Sequence, residues 1–434
     1  MSLFEYRQSL YAPPLILHTT TMNNDEFTGL VVDRFLKYVR YWTTSARHRD
    51  ETPSTAGQWD LAKALVEELR GLGVRDVELT DHCYVIARIP ATVGQETRPC
   101  VGFMAHLDTA DDVSGKDVKP QLVNAYNGKR IVLADGAALD PALDPDLAAH
   151  EGRAIIHTDG TTLLGADDKA GIAEIMGAAE YLLRHSEITH GPIELFFTPD
   201  EEVGAGLAGF PVERVKSVAC YTLDGGPLGG IDSECFNAYE ANIQFVGKAI
   251  HLGVARGRML NPTVMASTFA LMLPRVESPE ATDGYYGYYC PMNINANMET
   301  ASLQVYIRDF DRAGAERRVA ALETFAKAVE AQFPGSKVTV SAKPQYFNMK
   351  EKLDEKPETL NILKEALANL NIPCIHHPIR GGTDGSRLTQ LGIPTPNIFT
   401  GGRNAHSRLE WASVSDMTAA CKVVVELVTL WGKR

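Results

Sequence analysis

Acidic residues and histidines follow apolar segments at five places in this 434-residue chain. The clearest case is FFTPDEEVG, residues 196–204, in which Asp200, Glu201 and Glu202 come directly after an apolar, strand-like run. Carboxylates at the end of a buried element are costly unless a positive charge lies opposite them. The other four positions are His106 after VGFMA, Asp167 after LLGA, Asp224 after VACYTL, and His406 after PNIFTGG.

Each position has an ordinary structural explanation when it is considered alone. A His-x-Asp sequence such as that at 106–108 also occurs in surface turns, and Asp167 and Asp168 also suit the N-terminus of a helix. Asp224 before two glycines is typical of a turn, and a lone histidine such as His406 is commonly structural. A single di-metal site explains all the positions together, whereas each alternative explains one.

Histidine and carboxylate ligands suit Zn²⁺, with Mn²⁺ or Co²⁺ as possible substitutes. Two metals about 4 Å apart need one bridging carboxylate and two terminal ligands each. The chain offers that number of groups in His106, Asp167, Glu202, Asp224 and His406.

Two further acids, Glu201 and Asp108, are not needed as metal ligands and can have other roles. Glu201 can take a proton from a water molecule activated between the metals and pass it to a leaving amine, which predicts amide hydrolysis. Asp108 lies two residues after His106, on the same face of an extended chain, and can orient the imidazole ring. Asp200 is expected to shape the turn.

Apolar patterning places these residues at the edge of a mostly parallel sheet in an α/β fold. The strand-like runs YVIARIP, VGFMAHLD, IELFFT, VACYTL and PNIFTGG alternate with helical segments, which is typical of a sheet covered by helices on both faces. Helical spacing predicts DEFTGLVVDRFLKYVRY, WDLAKALVEELRGLG, and a third helix beginning near Asp168. Residues 111–156 form a long excursion, interpreted as a functional flap or a loosely ordered insertion. In such sheets, ligands bind beyond the carboxyl ends of the strands.

A second pattern interrupts the first between residues 232 and 348. Strand, helix, strand, strand, helix and strand follow in that order, which predicts an inserted, smaller ferredoxin-like α+β domain. The predicted division is an N-terminal extension over residues 1–26, a catalytic di-zinc domain over 27–231 and 349–434, and the inserted domain over 232–348.

Composition favours a cytoplasmic protein. The formal net charge of −13 argues against nucleic acid or an anionic membrane surface as a partner. Seven scattered cysteines fit neither a disulfide framework nor a thiolate zinc site, and they favour a reducing compartment. The chain start lacks the pattern of a secretory signal, and no apolar run approaches the roughly 18 residues of a membrane span.

Five motifs, AHLDTADD, DGTTLLGADDKAG, TPDEEVG, LDGG and NAHS, resemble in order the signature set of the peptidase T family, which are tripeptide aminopeptidases with two zinc ions. The resemblance extends from about residue 27 to residue 430. It implies that His106, Asp167 and Asp224 bind one metal. It also implies that Glu202 and His406 bind the other, with Asp167 as the bridge.

The same resemblance implies further roles. Glu201 becomes the general base and acid, and Asp108 the carboxylate that orients the metal-binding histidine. The inserted domain resembles the family's lid, in which His251 of GKAIHLG matches an oxyanion-stabilising position and Arg308 of YIRDFD matches a substrate-contacting arginine. A solvated side chain is the alternative for both. Arg380 lies in RGGTDGSRL, which resembles the family's substrate-binding loop; the looser candidates there are Thr383, Asp384 and Ser386.

We therefore expect a zinc-dependent aminopeptidase that removes the N-terminal residue from short peptides, predominantly tripeptides, and acts as a monomer or homodimer. One alternative keeps the site but changes the substrate, giving a dipeptidase, an N-acyl amino-acid deacylase or another amidohydrolase. The other is a catalytically silent binding module, which the presence of every ligand and of the base disfavours.

Overall fold

The computed structural model describes residues 23–134 and 136–434. Most of the predicted N-terminal extension, residues 1–22, lies outside the described residues. Its boundary at residue 26 falls inside a helix, because residues 24–26 form the first turn of that helix. Within the described residues, no helix is both long enough and apolar enough to cross a membrane.

The chain before residue 233 contains four α-helices and ten strands in its described part. The first helix is capped by Asn23, whose side chain accepts a hydrogen bond from the N–H of Asp25 (3.1 Å). Its buried residues Phe27, Val31 and Phe35 recur every four residues, which places them on one face. The elements are α1 (Asn24–Tyr38), α2 (Gly57–Gly71), β1 (Asp76–Leu79), β2 (Val85–Ile89), β3 (Val101–His106), β4 (Gln121–Val123), β5 (Ile131–Val132), β6 (Ala138–Leu139), α3 (Pro145–Ala148), β7 (Ile155–His157), α4 (Ala166–Arg184), β8 (Ile193–Thr198), β9 (Ala219–Gly225) and β10 (Gly230–Asp232).

Residues 237–346 form a separate antiparallel sheet with its own apolar core. Its elements are β11 (Asn237–Val246), α5 (Pro262–Met272), β12 (Tyr288–Ala296), β13 (Thr300–Asp309), α6 (Arg312–Gln332) and β14 (Lys337–Tyr346). The strands lie in the order β12-β13-β11-β14. Alternate strand residues such as Ile243 and Val305 pack against Phe269 of α5 and Leu322 of α6, so both helices cover one face of this sheet.

The rest of the chain completes the larger sheet. Its elements are α7 (Lys350–Glu355), α8 (Glu358–Asn369), β15 (Ile375–His376), α9 (Asp384–Gln390), β16 (Asn397–Phe399), β17 (Gly402–Arg403), β18 (Trp411–Ser413) and α10 (Val414–Trp431). Eight strands lie in the order β1-β2-β8-β3-β9-β16-β10-β15. The four central neighbours β8, β3, β9 and β16 are parallel. Strand β2 runs antiparallel to both of its neighbours, whereas β10 runs antiparallel to β16 and parallel to β15.

Helices cover the two faces of the large sheet unequally. Odd-numbered residues of β3 and β8 pack into a core formed with α1, α2, α4, α8 and α10. On the other face, Met104 and Phe196 meet Leu388 of α9 and the loop residue Phe210. The mixed α/β class predicted from the sequence is confirmed.

The long excursion over residues 111–156 is a packed part of the fold, so its interpretation as a loosely ordered insertion is wrong. Strands β4 and β7 belong to a four-stranded sheet in the order β17-β18-β7-β4, in which β7 pairs with β18. Tyr126, Leu139, Leu147 and Ile155 bury their side chains around Trp411. The aromatic anchor comes from the far end of the chain, which is why local sequence gives no sign of this packing.

Candidate active site

Parallel strands bring the predicted ligands to one edge of the sheet. His106 is the last residue of β3, and Asp224 is the penultimate residue of the neighbouring β9. Glu202 follows the end of β8, and His406 follows β16 and β17. Asp167 lies in the first turn of α4, which packs against β3 and β9. The crevice beyond the strand ends therefore collects all five predicted metal-binding side chains.

Asp167 occupies the centre of this cluster. Its Oδ1 lies 2.9 Å from Nε2 of His106, and its Oδ2 lies 3.4 Å from Nε2 of His406. Each histidine also faces a second acid: Oδ1 of Asp224 is 3.7 Å from Nε2 of His106, and Oε2 of Glu202 is 3.0 Å from Nε2 of His406. One carboxylate thus links two histidine-acid pairs.

Two overlapping groups have ligand atoms close enough to hold a metal ion. In each group the potential ligand atoms lie within 4.8 Å of one another. The first group consists of His106, Asp167 and Glu202, and the second of His106, Glu201 and Asp224. The second group includes the acid that sequence reasoning left unligated, so geometry alone permits Glu201 to act as a ligand.

The three consecutive acids separate because the chain turns sharply at Asp200. This residue has a φ of 57°, and its carboxylate accepts hydrogen bonds from the N–H of Ser54 (2.7 Å), the hydroxyl of Ser54 (2.5 Å) and Nε2 of Gln58 (2.7 Å). Aspartate tolerates this left-handed conformation better than most residues. Asp200 thereby shapes the turn and is held away from the two glutamates.

Asp108 joins three parts of the site. It is fully buried, its Oδ1 lies 3.3 Å from Nδ1 of His106, and it accepts hydrogen bonds from the N–H groups of Glu201 (3.0 Å) and Glu202 (3.2 Å). The same carboxylate therefore faces the ring of His106 and fixes the backbone of the two glutamates.

Asp168 has a structural role at the start of α4. Both Asp167 and Asp168 depart from helical backbone angles. Asp168 accepts a hydrogen bond from the N–H of Gly171 (3.3 Å), as a helix cap does, and another from the N–H of His106 (3.0 Å). A Cβ at Gly171 would clash with the carbonyl oxygen of Leu223, so glycine lets the helix approach β9 beside the site.

Two carboxylates of the site were missed by sequence reasoning. Oδ2 of Asp112 lies 3.2 Å from Nδ1 of His406, in the position that Asp108 has relative to His106. Glu410 is buried and accepts hydrogen bonds from the N–H groups of residues 164–167. The motif AHLDTADD offers acids beyond Asp108, but their pairing with a residue almost 300 positions away follows no local spacing.

The clustered charges perturb one another strongly. Burial, together with the charge of Asp167, raises the pKa of Asp224 to about 6 and that of Glu202 to about 7. Hydrogen bonds to Asp167 and Glu202 raise the pKa of His406 to about 11. Oε1 of Glu202 is buried without a hydrogen-bond partner among the described residues. A set of acids short of positive charge, with an orphaned carboxylate oxygen, fits cation binding.

Two of the predicted substrate-binding residues have contacts elsewhere. His251 is exposed, and its Nδ1 accepts a hydrogen bond from the N–H of Gly253 (3.2 Å). Arg308 is buried, with its guanidinium 5.0 Å from the ring centre of Tyr306 and 5.6 Å from that of Tyr346, so the alternative of a solvated arginine is wrong. The substrate roles of both residues stay predictions.

Arg380 ties the two sheets together. Its guanidinium donates hydrogen bonds to the carbonyl oxygens of Thr282 (3.2 Å), Gly284 (2.9 Å) and Tyr286 (2.8 Å), and to the hydroxyl of Thr282 (2.9 Å). It also lies 5.0 Å from the ring centre of Phe236. These protein acceptors engage the guanidinium in this conformation, so a substrate-binding role for Arg380 stays a prediction.

A cavity opens beside the central carboxylate. It has a volume of about 300 Å³, and its walls include Asp167, Asp224 and the small residues Gly226, Gly402 and Ala405. This volume is at the lower end of the range for small-ligand sites, about 300–1,000 Å³. The cluster therefore has space next to it for part of a small substrate.

Known proteins resemble the chain over nearly its whole length. Residues 157–430 match the family described as Peptidase family M20/M25/M40. Peptidase T from Geobacillus sp. is 45% identical over 406 residues, covering 93% of this chain and 99% of the relative. Aminopeptidase PepT from Bacillus cereus has the same fold, with a TM-score of 0.72 at 22% identity over 94% of this chain and 99% of that one. A dinuclear metal-binding M20 peptidase from Bacillus subtilis gives a TM-score of 0.63 at 16% identity, over 93% and 98% of the two chains.

Proposed function

Because the chain belongs to peptidase family M20/M25/M40 and to its peptidase T branch, we propose that it is an aminopeptidase that removes the N-terminal residue from tripeptides. The identification made from the sequence motifs is confirmed by the identity of 45% to Peptidase T. The observation that carries the assignment to this crevice is Asp167, whose two carboxylate oxygens each face a histidine from a different part of the chain.

We propose that the cluster holds two metal ions, Zn²⁺ in the first instance, with Mn²⁺ or Co²⁺ as substitutes. His106, Asp167 and Asp224 would hold one ion, and Asp167, Glu202 and His406 the other. The close pairs within each set and the orphaned Oε1 of Glu202 support this division. When bound, such ions polarise the carbonyl group of the substrate and lower the pKa of water.

The proton transfers belong to Glu201. Its carboxylate takes a proton from the attacking water and delivers it to the nitrogen of the leaving peptide, so that one residue is base and then acid. Its backbone N–H is fixed by Asp108, the same carboxylate that faces Nδ1 of His106. In this scheme the base and two terminal ligands, His106 and Glu202, therefore share Asp108 as a single support.

We propose that residues 232–348 act as a lid on a catalytic domain made of residues 27–231 and 349–434. The separate sheet and apolar core of the inserted segment support this division. Arg380 reaches from the second part of the larger domain to the segment 282–286, which makes it a candidate hinge contact. We propose a cytoplasmic location, which all seven cysteines, being free thiols, support.

An assay that varies the length of the peptide substrate and blocks its free amine tests the function directly. The metal-loaded protein is assayed with di-, tri- and tetra-alanine and with N-acetylated tri-alanine, and released alanine and released acetate are both measured. We expect the highest kcat/KM for the tripeptide and no cleavage of the acetylated form. Cleavage of only the acetylated peptide would identify a deacylase, and a preference for the dipeptide would identify a dipeptidase.

The variant Glu201→Gln tests the assignment of the base. General acid-base catalysis contributes roughly 10²–10⁴-fold to rate, so kcat should fall by at least about 100-fold while two metal equivalents stay bound. Glu187→Gln changes an exposed acid outside the crevice and should leave kcat unchanged. Loss of a metal equivalent from Glu201→Gln would show that this residue is a ligand, as one of the two geometric groups allows.

A further inference from the structure

Four consecutive backbone N–H groups converge on the carboxylate of Glu410. Oε2 accepts hydrogen bonds from Leu164 (2.7 Å) and Gly165 (2.7 Å), and Oε1 accepts them from Ala166 (2.7 Å) and Asp167 (3.2 Å). The glutamate is 1% exposed. A buried carboxylate with both oxygens saturated by N–H donors is a rigid support, because hydrogen bonds to a charged acceptor are stronger than neutral ones.

The segment held in this way ends at the central carboxylate of the metal cluster. Gly165 has a φ of 81°, which lets the chain turn so that successive N–H groups point at one acceptor. Asp167 then directs one oxygen to His106 and the other to His406. A shift of this backbone would move both of these contacts together.

Glu410 also lies next to the other half of the site. It follows His406 by four residues and immediately precedes β18, which pairs with β7. The strand β7 leads into the loop before α4, and Asp167 lies in the first turn of that helix. One short segment thus contributes a histidine of the cluster and the support of its central aspartate.

We propose that Glu410 is a positioning residue that fixes Asp167 as the carboxylate shared by the two metal sites, and so sets the distance between them. This inference rests on the proposed di-metal function. Glu410 touches neither substrate nor metal in this scheme; it acts through the backbone of residues 164–167. Its purpose is to hold the bridging carboxylate in place before the metals bind.

The variant Glu410→Gln changes one oxygen to an amide NH₂ group. That NH₂ group would face two backbone N–H donors. Two of the four hydrogen bonds are therefore lost, and hydrogen-bond donors then face each other without an acceptor between them. Loss of such supporting groups typically lowers metal affinity or activity about 10–100-fold. We expect a 10–100-fold weaker binding of at least one metal equivalent, and a fall in kcat with KM little changed.

A matched control separates positioning from a general loss of stability. Glu194 is also 1% exposed and accepts hydrogen bonds from the N–H groups of Lys216 (2.8 Å) and Ser217 (2.9 Å), near the opposite end of β8. Glu194→Gln should lower the thermal midpoint as Glu410→Gln does, yet keep wild-type metal affinity and kcat. Metal affinity is measured by Zn²⁺ titration against a chromophoric chelator, and the absorption spectrum of the Co²⁺ form reports ligand geometry.

Hydrogen exchange of the wild-type full chain provides a readout that needs no variant. The amides of residues 164–167 should be protected with and without metal, to the extent expected for amides in the middle of α4, because their acceptor is Glu410 and not a bound ion. Rapid exchange of these amides in the folded, chelator-treated protein would overturn the proposal. So would a Glu410→Gln protein with wild-type metal affinity and Co²⁺ spectrum, or an equal loss of metal in Glu194→Gln.

The test of Glu410 can fail or succeed independently of the proposed aminopeptidase activity. A wild-type protein that binds two metals but does not cleave tripeptides would overturn the proposed substrate while leaving the role of Glu410 to the affinity and exchange measurements. A wild-type protein that binds fewer than two metals would overturn both the di-metal centre and this role.

Discussion

The variant Asp108→Asn changes a carboxylate that contacts the proposed base and two proposed metal ligands. Asp108 is fully buried and takes the N–H groups of Glu201 and Glu202 on different oxygens, while Nδ1 of His106 lies 3.3 Å from Oδ1. Asparagine has nearly the same shape but replaces one acceptor oxygen with a donor. The change therefore tests the chemistry of this carboxylate and leaves its volume almost unaltered.

The size of the effect follows from the three contacts. If the remaining oxygen keeps Glu201 and His106, the NH₂ group faces the N–H of Glu202, and one hydrogen bond to a charged acceptor, worth about 1.5–3 kcal/mol, is lost. Removal of a buried charge offsets part of that loss. We expect the free energy of unfolding to fall by about 2 kcal/mol. Metal affinity should fall about 10–100-fold, because Nδ1 of His106 no longer faces a carboxylate.

The assay compares Asp108→Asn with Asp309→Asn. Asp309 is a buried aspartate of the inserted domain that accepts the N–H of Asp311 (2.9 Å) and pairs with Arg318, so its loss should reduce stability but not metal affinity. Each protein is titrated with Zn²⁺ in competition with a chelator, and kcat is measured at saturating metal. Wild-type affinity and kcat in Asp108→Asn would refute the reasoning, since neither the base nor the ligand would then depend on this carboxylate.

Three further predictions concern parts of the fold around the site. Asp200→Ala removes three hydrogen bonds, one buried and two partly buried, at a residue with a φ of 57°. Chemical denaturation should show a loss of about 2–4 kcal/mol in the free energy of unfolding. Arg380→Met removes the hydrogen bonds to the segment 282–286, so limited proteolysis should cut this segment faster while the metal content stays unchanged. Equal cleavage rates in the variant and the wild type would show that Arg380 does not restrain the segment. Burial raises the pKa of Asp232 to about 7, so the folded state keeps a proton that the unfolded chain loses near pH 4. Stability should therefore decline between about pH 4 and 7 in the wild type and decline less in Asp232→Asn, as measured by denaturation across that range.

The residues at strand ends could be predicted because the apolar runs are short and sharply bounded. Once β3, β8, β9 and β16 are taken as parallel neighbours, their carboxyl ends must share one edge, and the groups that follow them must meet. That argument needs neither loop conformation nor distances. It works for His106 and Asp224, which lie within strands, and for Glu202, which is four residues beyond one.

Contacts between distant loops could not be predicted in this way. Asp112 and Glu410 support the cluster from segments without helix or strand periodicity, and their partners His406 and residues 164–167 lie 243 or more positions away. The packing of the excursion around Trp411 has the same cause. For Arg380 the motif suggested substrate, but four protein acceptors from the inserted segment engage the guanidinium in this conformation.

The three acids of FFTPDEEVG are stabilised in different ways. The left-handed turn at Asp200 allows their carboxylates to lie in different surroundings. Asp200 is satisfied by hydrogen bonds from neutral groups, whereas Glu202 faces the imidazole of His406 and leaves one oxygen orphaned. Glu201 has its backbone fixed by Asp108, and its carboxylate is near enough to His106 and Asp224 to serve either as base or as ligand. In the proposed scheme, the proton carrier and a metal ligand are therefore adjacent residues whose N–H groups are both anchored on one buried aspartate. It follows that a change at Asp108 should affect proton transfer and metal binding together, whereas a change at Glu201 should separate them.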